Sequence, residues 1–262
     1  MPSSPFLSVP FLSVPFLSVI VPAYNEEARI LASLTAIAYY LGSQNYSWEV
    51  LVVDDGSTDA TARLAEEFIG NNSRVHLVSV PHGGKGWAVK QGMLRVQGQY
   101  RFLCDADLSM PIEQLSRFLP PDGPAADIVI GSREVPGSRR INEPWRRHLM
   151  GRIFNVLVRL LAVSGIQDTQ CGFKCFKGQV AQQLSTLQRL NGFGFDSELL
   201  FLARKLNFSV AEVPIDWYYQ PRSKVRPVQD SLRMIGDLLS IRWSYFRGRY
   251  GKRGSPVHGH AP

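Results

Sequence analysis

Tyr100-Arg101-Phe102-Leu103-Cys104-Asp105-Ala106-Asp107 is an apolar run that ends in two carboxylates one residue apart. The run reads as a strand, so the pair falls where a strand ends and a loop begins. An i, i+2 pair in a loop can aim both carboxylates at one point. Magnesium and manganese take oxygen ligands, typically one or two carboxylates completed by substrate phosphates. A solvated turn or a helix cap has the same local pattern, and a bare Asp-x-Asp is common. The surrounding chain decides between these readings.

Outward from that stretch, strand-like and helix-like runs alternate. Leu17–Val21 is apolar and β-branched, and Val50–Val53, Val75–Val80 and Ile128–Ile130 are further strands. Between them, Glu26–Leu41 carries helical spacing at Ile30, Leu34, Ile37 and Leu41. Asp59–Ile69 is a second helix with Thr58 as its expected N-cap, and Gly86–Val96 is a third. This βαβ rhythm predicts an α/β fold, a Rossmann-like and mostly parallel sheet flanked by helices. Ligands of such sheets sit at the carboxyl ends of the strands. Pro22–Glu26, Asp54-Asp55, Pro81–Gly86, Asp105–Ser109 and Gly131–Arg133 would then converge on one edge.

Two of those loops have chemistry of their own. Asp54-Asp55-Gly56-Ser57-Thr58-Asp59 offers a carboxylate to a base N–H or to ribose hydroxyls, with Asp55 for the ligand and Ser57 or Thr58 for the helix cap. Pro81-His82-Gly83-Gly84-Lys85-Gly86 puts glycines and a lysine before a helix, which suits an anion. It is not a Walker loop, because the spacing differs and no Ser or Thr follows the lysine.

The 262 residues, 45% hydrophobic, allow one large α/β domain, and the net charge of +7 points to nucleic acid, anionic lipid or phosphorylated substrates. No aromatic–basic groove motif or helix-turn-helix signature appears, so nucleic acid is not an expected partner. Cys104, Cys171 and Cys175 are read as inert thiols, since Cys171-x3-Cys175 has no second pair to complete a zinc site. Pro5-Phe6-Leu7-Ser8-Val9 repeats at Pro10–Val14 and again at Pro15–Val19. A proline every five residues breaks a helix, and no basic stretch precedes it, so residues 1–14 are read as a repetitive tail. No stretch of ~20 uninterrupted apolar residues follows, and no transmembrane helix is expected.

Taken together, Ser18-Val19-Ile20-Val21-Pro22-Ala23-Tyr24-Asn25-Glu26-Glu27, Val52–Asp59, Gly84-Lys85-Gly86 and Asp105-Ala106-Asp107 resemble family 2 glycosyltransferases of the GT-A fold over about residues 17–135. The resemblance implies a nucleotide-sugar donor, a divalent metal (Mg2+ or Mn2+) at Asp105 and Asp107, and inversion at the anomeric carbon. Gly131-Ser132-Arg133, Arg146-Arg147, Asp168–Lys174 and Gly194–Leu200 are similar to the polyprenyl-phosphate hexose synthases. Glu212–Trp217 and Ser223-Lys224-Val225 resemble the dolichyl-phosphate β-glucosyltransferases among them.

Carried over residue by residue, the resemblance implies that Pro22, Tyr24, Glu26 and Asp55 hold base and ribose, with Lys85 beside them. It places Asp105, Ala106 and Asp107 at the diphosphate and metal. Arg133 and Arg147 match basic positions facing the donor diphosphate and the acceptor phosphate, and Arg222 and Lys224 a basic loop over the site. Where mannose-transferring relatives have a glutamine after the second aspartate, this chain has Ser109, a weaker metal ligand. Asp168 is read as orienting an arginine, as binding sugar hydroxyls, or as a helix-end salt bridge. The implied acceptor is a polyprenyl phosphate, dolichyl or undecaprenyl. The alternatives are GDP-mannose as donor, or a soluble polysaccharide acceptor, which would need a catalytic base.

The expected organisation is a catalytic domain over 15–226, an amphipathic helix over 227–250 and a disordered tail over 251–262. Trp145–Val163 and Ser231–Phe246 combine apolar and arginine-bearing faces, either packing on the sheet or lying on an anionic membrane surface. The eukaryotic members of the family carry an N-terminal membrane anchor. This chain has none in its place, which implies a prokaryotic relative using a shorter lipid, held peripherally at the cytoplasmic face of the cell membrane.

Overall fold

The computed structural model describes residues 14–144, 165–220 and 227–251, and within 227–234 the side chain of Arg233 alone. Seven strands form one sheet: β1 (Leu17–Ala23), β2 (Trp48–Asp54), β3 (Val75–Ser79), β4 (Tyr100–Leu103), β5 (Ile128–Ser132), β7 (Lys174–Lys177) and β8 (Val210–Pro214), in the order β3-β2-β1-β4-β7-β5-β8. A short parallel pair, β6 (Arg139–Ile141) and β9 (Asp216–Tyr218), stands beside it. Among the described strands of this sheet, β7 alone is antiparallel to its neighbours, β4 and β5. The helices are α1 (Ile30–Gly42), α2 (Thr61–Ile69), α3 (Lys85–Arg95), α4 (Gly178–Leu187), α5 (Phe195–Lys205) and α6 (Pro227–Phe246), with a 3-10 turn over Ile112–Phe118. This is the expected α/β architecture with a mostly parallel sheet.

Alternation along the strands divides the core in two. Val50 and Val52 turn to one face with Val19, Val21 and Phe102, where α1 covers them with Ile30, Leu34, Ile37 and Leu41. Leu51 and Val53 turn to the other with Ile20 and Leu103, under Val89 and Met93 of α3 and Leu199 of α5. Each such side chain, fully buried, contributes roughly 1.5–3 kcal/mol.

Two helix starts differ from the expectation. α1 begins at Ile30 rather than Glu26, because residues 26 and 27 are held by the next loop: Glu26 N–H donates to Thr61 Oγ1 at 2.6 Å and Glu27 N–H to Asp59 Oδ2 at 3.2 Å. α2 begins at Thr61, whose N–H is taken by Asp59 Oδ1 at 2.9 Å. Thr58 is therefore not the cap; its N–H donates to Asn25 Oδ1 at 2.8 Å. Ser57 Oγ likewise accepts from Asn25 N–H at 2.9 Å. The polar residues after β2 thus tie together two of the loops at the carboxyl edge.

The expected helix Trp145–Val163, Arg147, Arg222, Lys224, and the terminal stretches 1–13 and 252–262 lie outside the described residues. Among the described residues no helix is long and apolar enough to cross a membrane. α6 packs one apolar face on the rest of the fold and leaves other apolar side chains exposed. Leu238 and Ile241 are buried against the core, while Leu239 (56%), Trp243 (54%) and Phe246 (74%) stand exposed.

Candidate active site

The five loops named from the sequence all follow parallel strands and reach the same edge of the sheet. After β1, the Tyr24 ring stacks on His82, with centroids 4.2 Å apart and planes at 24°. His82 Nδ1 lies 2.8 Å from Asp55 Oδ2, and Gly83 and Gly84 N–H each donate to the Asp55 carboxylate at 2.9 Å. Asp55 is buried, so its first task is to shape the Pro81–Gly86 loop. A carboxylate has lone pairs beyond these, and contact with a nucleoside would be shared with the bonds to the loop. Pro22, paired with Val53 near the end of β1, lies close by in sequence, and Glu26 is ion-paired with Arg29. No sequence pattern marks His82; its place opposite Tyr24 depends on β1 and β3 flanking β2.

Lys85 opens α3, and its Nζ meets Asp105 Oδ1 at 2.7 Å. Burial works against the lysine charge, but Asp105 and Asp196 outweigh it, so its pKa lies above the ordinary value. Asp105 rests on Gly172, where a Cβ would fall inside van der Waals contact of Asp105 Oδ2. Ala106 is buried, and its carbonyl accepts from Ser33 Oγ at 2.6 Å. Asp107 Oδ1 accepts from Ser109 N–H at 3.0 Å. Between those two, Leu108 has φ 42°, a left-handed conformation that costs an L residue roughly 1–2 kcal/mol. The turn returns the chain from Asp107 to Ser109, whose backbone fixes the second carboxylate.

At the end of β5, Arg133 and Asp168 form a bidentate pair. Arg133 Nε donates to Oδ2 at 2.7 Å, Nη2 to Oδ1 at 2.9 Å, and the Arg133 backbone N–H to Oδ2 at 3.0 Å. Asp168 is fully buried, and Glu212 holds its backbone N–H at 3.0 Å. Burial opposes ionisation of Asp168, yet the arginine holds its pKa at about 2. The guanidinium also lies 5.5 Å from the centre of the Trp217 ring. The structure thus pairs Asp168 with an arginine, a contact common to its arginine-orienting and salt-bridge readings.

A second buried pair lies beneath. Lys174 Nζ donates to Asp196 Oδ1 at 2.6 Å and to the Cys171 carbonyl at 2.5 Å. Burial raises the Asp196 pKa against the pull of Lys174 and Lys85. Both residues lie in stretches that carry the family resemblance, but neither has a role assigned from the sequence, because a lysine buried in a four-residue strand has no sequence signature. The three cysteines are free and buried, and burial pushes the Cys171 thiol up to about 12.

The glycosyl transferase family 2 model matches residues 18–184, which contain the whole of this edge. The chain belongs to glycosyl transferase family 2. It is 34% identical over 244 residues to a dolichyl-phosphate beta-glucosyltransferase of Dictyostelium discoideum, covering 88% of this chain and 75% of the relative. The enzymes of the same name from Saccharomyces cerevisiae and Homo sapiens are 35% and 33% identical, each over 88% of this chain and 75% and 76% of their own.

Solved structures show the same GT-A fold. Glucosyl-3-phosphoglycerate synthase from Mycobacterium tuberculosis, in complex with UDP, superposes with a TM-score of 0.63 at 24% identity, over 87% of this chain and 80% of its own. Mannosyl-3-phosphoglycerate synthase from Rubrobacter xylanophilus gives 0.64 at 17% identity, over 94% and 79%. The mycobacterial enzyme has also been solved with Mn2+ and UDP-glucose.

The donor chemistry of this family 2 site fits a divalent cation. Asp105 and Asp107 are hard oxygen donors, and the contact with Gly172 is a cradle that fixes where the first of them can lie. Among the described residues no third His, Cys, Asp or Glu completes a cluster, so the remaining ligands would be phosphate oxygens and water. Ser109 is buried and meets Asp107 through its backbone.

Proposed function

We propose that this chain transfers glucose from UDP-glucose to a polyprenyl phosphate, dolichyl or undecaprenyl, with inversion, at the surface of an anionic membrane. The relatives' names support the sugar and the acceptor class. The observation that carries the mechanism is the arrangement of charge. Two carboxylates with a lysine end β4 and open α3, and a clamped arginine ends β5 on the same edge.

In this reading, the Tyr24 and His82 rings and Asp55 receive the uridine, with Pro22 and Glu26 beside them. A divalent cation at Asp105 and Asp107 would neutralise the diphosphate leaving group. Lys85 adds positive charge at the same place. Arg133 gathers the acceptor phosphate through charge-assisted hydrogen bonds, held in aim by Asp168. Arg147, Arg222 and Lys224 are proposed to complete that phosphate site.

A phosphate oxygen of the lipid attacks the anomeric carbon from the face opposite the diphosphate. The new C–O bond forms as the old one breaks, and its electron pair leaves on UDP. The acceptor is already ionised near neutral pH, so no proton has to be removed, and positioning and electrostatics do the work. The exposed face of α6 supplies the membrane contact. Leu239, Trp243 and Phe246 are apolar, and Arg247 lies 4.4 Å over the Trp243 ring. We place the enzyme peripherally on the cytoplasmic face, where nucleotide sugars are made and the leaflet is anionic.

The test is a donor and acceptor panel. Radiolabelled UDP-glucose and GDP-mannose are incubated with the protein, Mn2+, and either undecaprenyl or dolichyl phosphate. Glucose label entering organic solvent is the expected result. Label entering only from GDP-mannose overturns the choice of sugar, and transfer only to a soluble acceptor overturns the lipid.

A further inference from the structure

Glu198 is a fully buried carboxylate that no step above uses. It stands in the first turn of α5, in the Gly194–Leu200 stretch singled out from the sequence. Its oxygens accept the backbone N–H groups of Arg189 at 3.0 Å and Leu190 at 2.8 Å, and the hydroxyl of Tyr250 at 2.6 Å. Burial pushes its pKa above the ordinary glutamate range, against these donors. A carboxylate kept in such a place is there to hold backbone, since it contributes little as a bare buried charge.

The backbone it holds, residues 188–192, braces the start of α3. Gln188 Nε2 donates to the Gly86 carbonyl at 2.7 Å, and Trp87 N–H donates to the Asn191 carbonyl at 3.1 Å. Lys90 Nζ donates to the Gln188 carbonyl at 2.6 Å. Gly86 lies so close beneath that a Cβ there would come within 2.7 Å of the Leu190 carbonyl oxygen and 2.8 Å of that of Gly192. α3 opens with Lys85, which meets Asp105. On its far side Glu198 is closed by Tyr250, four residues beyond the end of α6 at Phe246. α6 reaches the same turn again, where Asp237 packs against Gly194.

We propose that Glu198, locked by Tyr250, is a positioning residue for Lys85. Through residues 188–192 it sets the start of α3, and with it the placement of the lysine against Asp105. It also ties that placement to the C-terminal helix. The inference rests on the reading above that Lys85 faces the donor diphosphate.

The test uses the full chain carrying Tyr250→Phe or Glu198→Gln, each alone and with Lys85→Met. Hydrogen exchange of a peptide spanning 83–92 is read without donor, and kinetics with UDP-glucose and Mn2+ are read alongside. Tyr250→Phe is expected to speed exchange in 83–92 while leaving β1 unchanged. It should raise the donor KM roughly three- to tenfold, the range set by one hydrogen bond, with kcat within about twofold. In the Lys85→Met background the same change should leave donor KM within about twofold, which a merely structural role would not produce. Unchanged exchange in 83–92 overturns the proposal, as does an undiminished KM effect in the Lys85→Met background. Faster exchange in a protein that, even as wild type, does not turn over UDP-glucose leaves the positioning standing and refutes the reading of the donor instead.

Discussion

Asp168→Asn isolates the clamp on Arg133. The change keeps shape and one acceptor oxygen but removes the charge. Asp168 is held at about 2 against an ordinary 3.8, a depression worth about 2–3 kcal/mol in favour of the folded, ionised state. Breaking one member of a buried pair costs ~3–5 kcal/mol, and the 19% exposure of the Arg133 side chain lets water recover part of it. Together these give a loss of about 2–3 kcal/mol at pH 7, or ~5–10 °C in Tm for a chain of this size. Because the folded pKa is depressed, the contribution is complete above the unfolded pKa and declines as pH falls toward about 2. The gap between wild type and variant should therefore shrink to roughly half by pH 3. Urea denaturation at pH 7, 4 and 3 on wild type, Asp168→Asn, Arg133→Gln and the double variant measures both the loss and the coupling. Turnover should fall more than about tenfold while UDP-glucose affinity stays within about twofold, since the arginine is loosened and not the donor edge. A stability change under about 0.5 kcal/mol, the scale of an ordinary surface substitution, or a gap that does not move between pH 7 and 3, would refute the reasoning.

Asp107→Asn keeps an acceptor for Ser109 N–H and should preserve the fold, while metal-dependent turnover drops at least about a hundredfold. Circular dichroism and a Mn2+ titration of activity check both halves, and near-normal turnover would remove the metal assignment. Gly172→Ala puts a methyl group against Asp105 and should weaken Mn2+ binding, read by calorimetry with UDP present, by roughly tenfold or more. Equal Mn2+ affinity would mean that Asp105 is not seated there. Trp243→Glu with Phe246→Glu changes two exposed side chains and should leave Tm within about 2 °C, as surface substitutions usually do, while abolishing flotation with anionic vesicles. Undiminished flotation would place the membrane contact elsewhere.

The parallel strands were legible because each is a short, mostly apolar run, too short for a helix, and polar residues follow it at one edge. Asp105, Asp107 and Lys85 were legible for the same reason: each lies just after a strand or directly before a helix. What the chain order hides is pairing at long range. Asp168 and Arg133 are separated by 35 positions, and only burial shows that the carboxylate is spent on the arginine. The helix starts at Ile30 and Thr61 were displaced because hydrogen bonds between two loops outweigh local helical preference, which a periodicity reading does not weigh. β7 was missed because Lys174-Cys175-Phe176-Lys177 carries a charge at each end, and the buried one is neutralised by a residue 22 positions away.

β7 also explains the geometry of the whole site. It lies between β4, which carries Asp105 and Asp107, and β5, which leads to Arg133. At 4.7–4.9 Å per strand, the two charged centres spring from backbones roughly 9–10 Å apart. A leaving diphosphate and an incoming phosphate must lie on opposite sides of one carbon, so a gap of that order, narrowed by side chains reaching inward, suits an in-line displacement. The segment that leads into β7 then touches both centres. Asp168 clamps Arg133, Gly172 seats Asp105, and Lys174 pairs with Asp196 beneath them. One antiparallel strand set between parallel neighbours sets the distance between the Asp105–Asp107 loop and Arg133 and braces each side. On the mechanism proposed above, with no proton to remove, that spacing is the main thing the protein has to supply.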